Sequence, residues 1–242
     1  MRNDGKHIAR ISVRVLTLLL LGYTTLRGLT VELPELMGNL GQTSRNLFFH
    51  VPMWFAMMAA MFYSVVQSLQ FLRNPNLSFD IQSKEAATTG MLFGMLGLVT
   101  GIIWSRATWG DQRPDSDFSA WWLWDPKQTT VVICLLIYAA YFLLRSSFDE
   151  PIQRARISAV YNIFAAATIV PLFYILPQAM QGLHPGAEGE RSTILTLGSE
   201  YRLLFWGVAL GFIFLAVWII DLRVRMKKAE LILEEAEAEI QS

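Results

Sequence analysis

The sequence predicts an all-α, polytopic membrane protein with six transmembrane helices and a tryptophan-rich outer loop. Three observations lead to this fold class. Hydrophobic residues make up 53% of the 242 residues and charged residues only 17%, whereas a soluble domain carries about 25% charged residues. The polar residues collect in short blocks between long apolar runs. Six of these runs approach the length of about 20 residues at which a helix crosses a bilayer.

The six apolar runs define the helices in chain order. They extend over residues 11–30, 47–72, 88–105, 129–145, 157–178 and 202–221. We interpret the first run as a retained helix and not a cleaved signal peptide, because no convincing small-residue cleavage site follows it. The third run is rich in glycine, which favours close helix packing. Pro171 and Pro177 predict a kink in the fifth helix.

The distribution of cations predicts the orientation of the six helices. Six spans place both termini on one side, and with the N-terminus inside, 13 of the 20 lysines and arginines lie in inner segments and 7 in outer ones. The positive-inside rule therefore places both termini in the cytoplasm. The outer loops are then residues 31–46, 106–128 and 179–200, and the inner loops are residues 73–87 and 146–156.

The chain divides into a transmembrane domain, residues 1–222, and a cytoplasmic helical tail, residues 223–242. The tail begins basic and ends acidic, and its composition favours a helix. Two interpretations stay open for it. It is either a solvated terminal helix or a docking segment for a cytoplasmic partner.

Several classes of function are disfavoured by composition and by missing motifs. The formal net charge is zero, so nothing suggests a nucleic-acid partner. The single cysteine, Cys134, lies in an apolar run and can form neither an internal disulfide nor a zinc site. The sequence contains no Walker A motif for an ATPase and no CxxCH motif for covalent attachment of c-type heme.

The second outer loop carries an unusual concentration of tryptophan. It contains Trp109, Trp121, Trp122 and Trp124, and Trp104 lies just before it, so that five of the eight tryptophans fall within 21 positions. Indole rings favour membrane interfaces in any case, but they also offer rigid faces to a flat, apolar, conjugated ligand. Heme is such a ligand, and arginine and lysine can bind its propionates. Cations available on this side include Arg106, Arg113, Lys127 and Arg191.

Two of the three histidines lie on the same side as the tryptophan-rich loop. His50 is at the outer end of the second helix and His184 is in the third outer loop, whereas His7 lies in the basic N-terminal segment. Neutral imidazole is a common axial ligand of heme iron. Pro52 is suited to an early position in a helix, which predicts that His50 lies beside a helix N-terminus, where the helix dipole keeps its ring neutral. Pro185 and Gly186 predict a turn after His184.

The stretch TWG…WWLWDPKQT resembles the WWD signature of the heme-handling superfamily. With six spans and an outer histidine on either side of that motif, most of the chain resembles the cytochrome c maturation protein C family, also called heme exporter protein C (CcmC). The resemblance implies His50 and His184 as axial ligands of the heme iron. The other residues that we assign to heme binding are Arg106, Trp109, Gly110, Trp121, Trp122, Trp124, Asp125 and Lys127.

The resemblance also implies a function in cytochrome c biogenesis. The protein would bind heme b non-covalently and in transit at the outer, periplasmic face of the bacterial inner membrane. It would present this heme to a periplasmic heme chaperone of the maturation protein E family. Its other partners would be the ATPase and permease subunits of an ABC transporter complex, a small single-span membrane protein and membrane lipid. It would be a delivery component and not an enzyme.

The sequence departs from the family pattern in two places. Ten residues, Asp111 to Ala120, separate the Trp-Gly pair from the Trp-Trp pair, which are nearly adjacent in the family. This insertion either folds out as a lobe or moves Trp109 off the site, so the sequence favours Trp121, Trp122 and Trp124 over Trp109. The DPKQT segment resembles larger sister families that attach heme to cytochrome c themselves.

Two other functions were weighed against heme delivery. A b-type cytochrome subunit for electron transfer is the main alternative, but such subunits usually carry histidines inside the bundle, and none lies in the middle of a span here. A secondary transporter would need ionisable residues near the membrane midplane. No Asp, Glu or Lys lies in the middle of a predicted span, so this hypothesis is the weakest.

Overall fold

The protein is described by a computed structural model over residues 2–32, 41–110, 121–122, 124–184, 194 and 197–241. Six helices in this part of the chain are long and apolar enough to cross a membrane, which confirms the predicted all-α, polytopic fold. They are α1 (Arg2–Thr30), α2 (Leu47–Arg73), α3 (Leu77–Trp109), α4 (Pro126–Ser146), α5 (Pro151–Val170) and α6 (Ser199–Gln241).

Three shorter helical segments extend these helices. A 3-10 helix, Gly41–Asn46, leads directly into α2, and a π-helical turn, Pro171–Ile175, followed by the turn Leu176–Ala179, continues α5. A π-helical turn is a local widening of a helix that is frequent at functional sites. It is the form that the predicted distortion between Pro171 and Pro177 takes.

The helices form an up-and-down bundle with two distinct ends. We term the end that carries residues 74–76, residues 147–150 and the C-terminal half of α6 the tail end. The opposite end carries residues 121–125 and 180–184 and is termed the site end. Contacts between α1 and α6 follow this arrangement, since Arg10 bonds Asp221 at the tail end and Arg27 approaches Glu200 at the site end.

Glycines of α3 allow α2 to approach closely, as the sequence predicted. A Cβ atom at any of four α3 glycines would lie 2.7–2.8 Å from a side chain that packs there. Because the two helices run antiparallel, the glycines meet α2 side chains in reverse order. The pairs are Gly90 with Met61, Gly94 with Met57, Gly97 with Trp54, and Gly101 with His50.

The helices are longer than the apolar runs, and three predicted loop boundaries were wrong for this reason. The inner loop 73–87 is reduced to residues 74–76, because the Asn76 side chain accepts a hydrogen bond from Ser78 N at 2.8 Å and starts α3. The inner loop 146–156 is reduced to residues 147–150, where Glu150 caps α5. The outer loop 106–128 loses residues to both α3 and α4. Hydropathy marks the bilayer-spanning core of a helix and not its polar ends.

Ion pairs join the helices at the tail end. Arg145 of α4 donates two hydrogen bonds to Asp80 of α3, at 2.7 and 2.5 Å, and both side chains are largely buried. Arg223 of α6 donates to Glu85 of α3 at 2.8 Å. These pairs tie α3, α4 and α6 together where the polar ends of the helices meet.

The C-terminal tail is helical, as its composition predicted. Helix α6 continues through residue 222 without a break and ends at Gln241. The division of the chain into a domain at 1–222 and a tail at 223–242 stays a prediction, since the backbone shows one continuous helix there.

Candidate functional site

An aromatic cavity at the site end is lined by both His50 and His184. It lies between α2, α3, the start of α4 and the π-helical turn, and its volume is about 270 Å³. The aromatic and polar residues in its wall include His50, Trp54, Phe55, Trp104, Trp109, Lys127, Gln128, Phe173, Tyr174 and His184. The structure therefore brings together residues that lie up to 134 positions apart in the sequence.

The His50 ring packs against the backbone of helix α3. Its Nδ1 lies 2.9 Å from the Gly97 carbonyl oxygen and 3.1 Å from Thr100 Oγ1. A carbonyl oxygen can only accept, so the bond to Gly97 places the proton of a neutral ring on Nδ1 and leaves Nε2 as an acceptor. Gly101 makes room for the ring, because a Cβ atom there would lie 2.7 Å from His50 Cε1.

Trp54 forms a hydrogen bond with the other ring nitrogen of His50. Its Nε1 donates to His50 Nε2 at 3.3 Å, and the two rings meet edge to face with centroids 5.8 Å apart. Trp54 follows His50 by four residues, so the two side chains lie on the same face of α2. The indole is itself pressed against α3, since a Cβ atom at Gly97 would lie 2.8 Å from its ring.

The predicted helix N-terminus beside His50 was wrong. The 3-10 helix Gly41–Asn46 runs into α2 without a break, so that His50 lies about three turns inside the helical segment and Pro52 lies within the helix. A helix dipole acts only over the first turn. The contacts that fix the state of the His50 ring are instead those with α3.

His184 is held by a buried carboxylate. Its Nδ1 lies 2.7 Å from Asp125 Oδ1, and the Asp125 side chain is almost fully enclosed. As at His50, the nitrogen bonded to an acceptor is Nδ1, which leaves Nε2 of a neutral ring without a proton. Pro185 and Gly186, for which a turn is predicted, lie outside the described residues.

Asp125 also organises the backbone around His184. Its Oδ1 accepts from Lys127 N at 2.9 Å and caps α4, and its Oδ2 accepts from Leu183 N at 2.7 Å. Burial raises the pKa of this carboxyl, but the hydrogen bond and charge of His184 and the two backbone N–H groups outweigh burial and lower the pKa to about 2. The side chain is therefore an ionised acceptor at neutral pH.

Three indoles surround the two imidazoles. Trp104 lies 5.8 Å from the His50 ring and Trp109 lies 5.5 Å from the His184 ring, measured between centroids. Together with Trp54 they give the cavity its aromatic walls. Trp109 thus belongs to the cavity, although the sequence favoured the later tryptophans over it.

The other tryptophans of the loop lie outside the cavity wall. Trp121 and Trp124 are 51% and 78% exposed, and the rings of Trp122 and Trp124 meet edge to face at 5.7 Å. They form an exposed aromatic surface at the site end. The insertion from Asp111 to Ala120, which joins this surface to Trp109, lies outside the described residues.

The predicted cations occupy different positions at the site end. Lys127 lines the cavity. The Arg106 guanidinium lies 6.0 Å from the Trp121 ring centroid and packs on Gly110, where a Cβ atom would lie 2.3 Å from Nη1. Arg113 and Arg191 lie outside the described residues.

The sequence analysis did not assign several residues of this cavity to ligand binding, among them Trp54, Trp104 and Gln128. Trp54 could have been found from its position four residues after His50 on a helix. Trp104 lies in the third apolar run, where an aromatic residue looks like any lipid-facing one. No sequence pattern predicts that Gln128 lines the cavity, because its position in the wall depends on where α4 begins.

The cavity offers two imidazole nitrogens in an aromatic surrounding. Among the residues that the structure describes, no group of three His, Cys, Asp or Glu side chains is placed to hold a metal ion. Both imidazoles line the same aromatic cavity, and the Nδ1 of each lies at hydrogen-bonding distance from an oxygen acceptor.

Comparison with known proteins gives one family over nearly the whole chain. A family model described as heme exporter protein C matches residues 6–240. A heme exporter protein C of Paracoccus denitrificans is 27% identical over 193 residues, which cover 79% of this chain and 76% of that protein. One from Haemophilus influenzae is 26% identical over 225 residues, which cover 91% and 84% of the two chains.

A second group of relatives matches a shorter stretch. A cytochrome c biogenesis protein CcsA of Prochlorococcus marinus is 32% identical over 99 residues. The match covers 41% of this chain and 28% of that protein.

Proposed function

The chain belongs to the heme exporter protein C family, and from that premise we propose that it binds heme and presents it to a periplasmic heme chaperone for the biogenesis of c-type cytochromes. The observation that carries this proposal is the pairing of His50 and His184 on one aromatic cavity. Each ring has Nδ1 engaged by an acceptor, which makes Nε2 the nitrogen that binds iron.

Trp54 donates a hydrogen bond to the His50 nitrogen that would bind iron. A buried acceptor without a partner is costly, and the Trp54 N–H satisfies it. Binding of iron to Nε2 of His50 would take the place of this hydrogen bond, and the Trp54 ring would then lie next to the porphyrin. Trp104 and Trp109 supply further aromatic surface next to the two histidines.

The size of the cavity bears on how heme is presented. Its volume of about 270 Å³ is at the lower limit of the roughly 300–1,000 Å³ of sites that enclose a small molecule. A porphyrin would therefore be only partly enclosed, with one edge left towards the surface that Trp121, Trp122 and Trp124 form. An open edge is what transfer to a chaperone needs.

Cations and the WWD motif complete the proposed site. Lys127 lies in the cavity wall and is placed to bind one propionate, and Arg106, beside Gly110 and Trp121, is placed near the projecting edge. Asp125 would act on heme through His184, to which it is hydrogen-bonded. Heme b is the cargo of this site, held without a covalent bond, and the protein is a delivery component and not an enzyme.

The remaining proposals concern orientation and partners. The excess of cations in the inner segments supports an inner-membrane protein with both termini in the cytoplasm and the cavity at the periplasmic face. The partners that we propose are the periplasmic heme chaperone, the ATPase and permease subunits of an ABC transporter complex, and a small single-span membrane protein. Release of heme would depend on partner binding, with ATP used by another subunit.

Absorption spectroscopy of the purified protein tests the proposed heme ligands. We expect a six-coordinate heme spectrum in the wild type, and an altered or lost spectrum in both His50→Ala and His184→Ala. His7→Ala is the matched control, because His7 is exposed at the tail end, and its spectrum should equal that of the wild type.

The same experiment can refute the proposal. If no preparation contains heme, including one produced without the chaperone so that the loaded state accumulates, heme delivery by this chain is ruled out. If heme is present but neither substitution changes its spectrum, the ligands lie elsewhere and a b-type cytochrome becomes the better hypothesis.

A further inference from the structure

One buried amide in the cavity wall has no hydrogen-bond partner. The Gln128 side chain is only 7% exposed, and neither its Nε2 nor its Oε1 is bonded to any residue that the structure describes. We propose that this amide donates to a carboxylate of the bound heme and so selects a ligand with an acidic edge. The inference rests on the proposed heme site and adds a specificity-determining residue to it.

The backbone fixes where the amide lies. Gln128 is in the first turn of α4, and its N–H lies 3.4 Å from Asp125 Oδ1, the oxygen that caps this helix. The side chain then lines the cavity together with His50, His184 and Lys127. The position of Gln128 is therefore set by the same carboxylate that holds His184.

An unpaired buried amide is costly, and its position distinguishes it from others in the bundle. The structure has further buried polar atoms without partners, among them Gln67 Oε1 and Asn162 Oδ1. Within the described part of the chain, Gln128 is the one such side chain that lines the cavity. Since a buried amide is destabilising unless it is paired, a partner brought by the ligand explains why the position carries glutamine.

The chemistry of heme indicates what that partner is. The iron takes the two imidazoles and the porphyrin ring is apolar, so the carboxylates are the polar groups left to contact the wall. A carboxylate only accepts hydrogen bonds, and the amide offers two N–H donors. Lys127, the preceding residue and also in the wall, supplies the positive charge that a buried carboxylate needs.

Heme titrations of the detergent-purified apoprotein test this role. We expect Gln128→Leu to weaken heme binding about tenfold to hundredfold, the effect of a lost hydrogen bond to a charged group. Gln128→Glu should weaken it further, because two carboxylates then face each other. With heme dimethyl ester, whose carboxylates are esterified, this additional loss should disappear.

Two further measurements separate ligand contact from a structural role. Gln67→Leu is the matched control, because Gln67 is also a buried glutamine with an unpaired oxygen but lies about 25 Å from His50 along α2. Its heme affinity should equal that of the wild type. The thermal midpoint of the heme-free Gln128→Leu protein should equal or exceed that of the wild type, since an unpaired amide has been removed.

The outcomes distinguish this inference from the proposed function. A wild type that binds no heme refutes the proposed function and this inference with it. A wild type with six-coordinate heme and Gln128 variants of unchanged affinity overturns the inference alone. If the Gln128 variants lost as much affinity for heme dimethyl ester as for heme, the inference would also be overturned, because Gln128 would then only shape the cavity.

Discussion

At the scale of single residues, one carboxylate links the start of a helix to an imidazole. Asp125 caps α4 through Lys127 N, accepts from Leu183 N, and holds His184 at 2.7 Å. A carboxylate behind an imidazole fixes the ring's tautomer and orientation and makes it a better metal ligand. We therefore propose that the aspartate of the WWD motif positions His184 and acts on heme through it.

Asp125→Asn should weaken heme binding while leaving the fold intact. Asparagine is also a good helix cap, but it lacks the charge that strengthens the bond to His184. We expect a loss of about tenfold to hundredfold in heme affinity, the usual effect of removing the partner of a metal-binding histidine. Heme titration followed by absorption measures it.

Asp149→Asn is the control for this substitution. Asp149 is exposed at the tail end, so its replacement removes one negative charge without touching the site. Wild-type affinity in Asp125→Asn would show that the negative charge beside His184 has no part in binding heme.

At the scale of elements, the contact between α2 and α3 sets the position of the site. Four glycines of α3 face side chains of α2, and the two nearest the site end, Gly97 and Gly101, face Trp54 and His50. Gly97 also accepts the hydrogen bond from His50 Nδ1. Close packing and ligand orientation therefore depend on the same stretch of backbone.

Gly97→Ala should disturb both stability and the heme site. The new Cβ would lie 2.8 Å from the Trp54 ring, which is rigid and cannot yield as a flexible chain would. We expect a loss of about 1–3 kcal/mol in the free energy of unfolding, as for overpacking elsewhere, and an altered heme spectrum because Trp54 contacts His50. Thermal unfolding in detergent and absorption spectroscopy measure the two effects.

Two other glycines serve as comparisons. Gly22→Ala, with nothing within 4 Å of the new Cβ, should be neutral or gain up to about 1 kcal/mol from helix propensity. Gly90→Ala meets the flexible end of Met61 and should cost less than Gly97→Ala. Equal effects at Gly97 and Gly22 would contradict the packing argument.

At the scale of the whole molecule, the two ends of the bundle carry different kinds of contact. The tail end has ion pairs with buried carboxylates, Asp80 with Arg145 and Glu85 with Arg223. The site end has an aromatic cavity whose carboxylate, Asp125, serves a histidine. Stability and heme binding should therefore respond to different substitutions.

Asp80→Ala should destabilise the bundle without changing heme affinity. The substitution leaves Arg145 with an unpaired charge in a largely buried position, and breaking such a pair costs about 3–5 kcal/mol. Thermal unfolding in detergent measures the loss, and a heme titration at low temperature measures affinity. A change in affinity comparable to that of His184→Ala would contradict the separation of the two ends.

Glu230→Ala is the matched control for the ion pair. Glu230 and Lys227 are 2.8 Å apart on an exposed part of α6, where such pairs contribute at most about 1 kcal/mol. A loss as large as that of Asp80→Ala would show that burial is not what makes the tail-end pair important.

Much of the fold followed from the sequence, because hydropathy and helix length are local properties. Six apolar runs predicted the number of helices. The glycines of α3 predicted its close packing, and Pro171 and Pro177 predicted the distortion in the fifth helix. Helix ends were less predictable. Residues such as Asp80 are polar, and their place in a helix depends on a partner from another helix, here Arg145, which donates to the Asp80 carboxylate.

The sequence by itself determined an all-α membrane protein with a WWD motif and two histidines predicted on one side. The tertiary structure decided which residues share a cavity. Trp54, Trp104 and Gln128 line it together with Trp109. Trp121 and Trp124 are exposed outside it. It also placed His50 against α3 and His184 on Asp125. The physical reason is that these contacts join residues from different helices, and their distances depend on packing that no local pattern encodes.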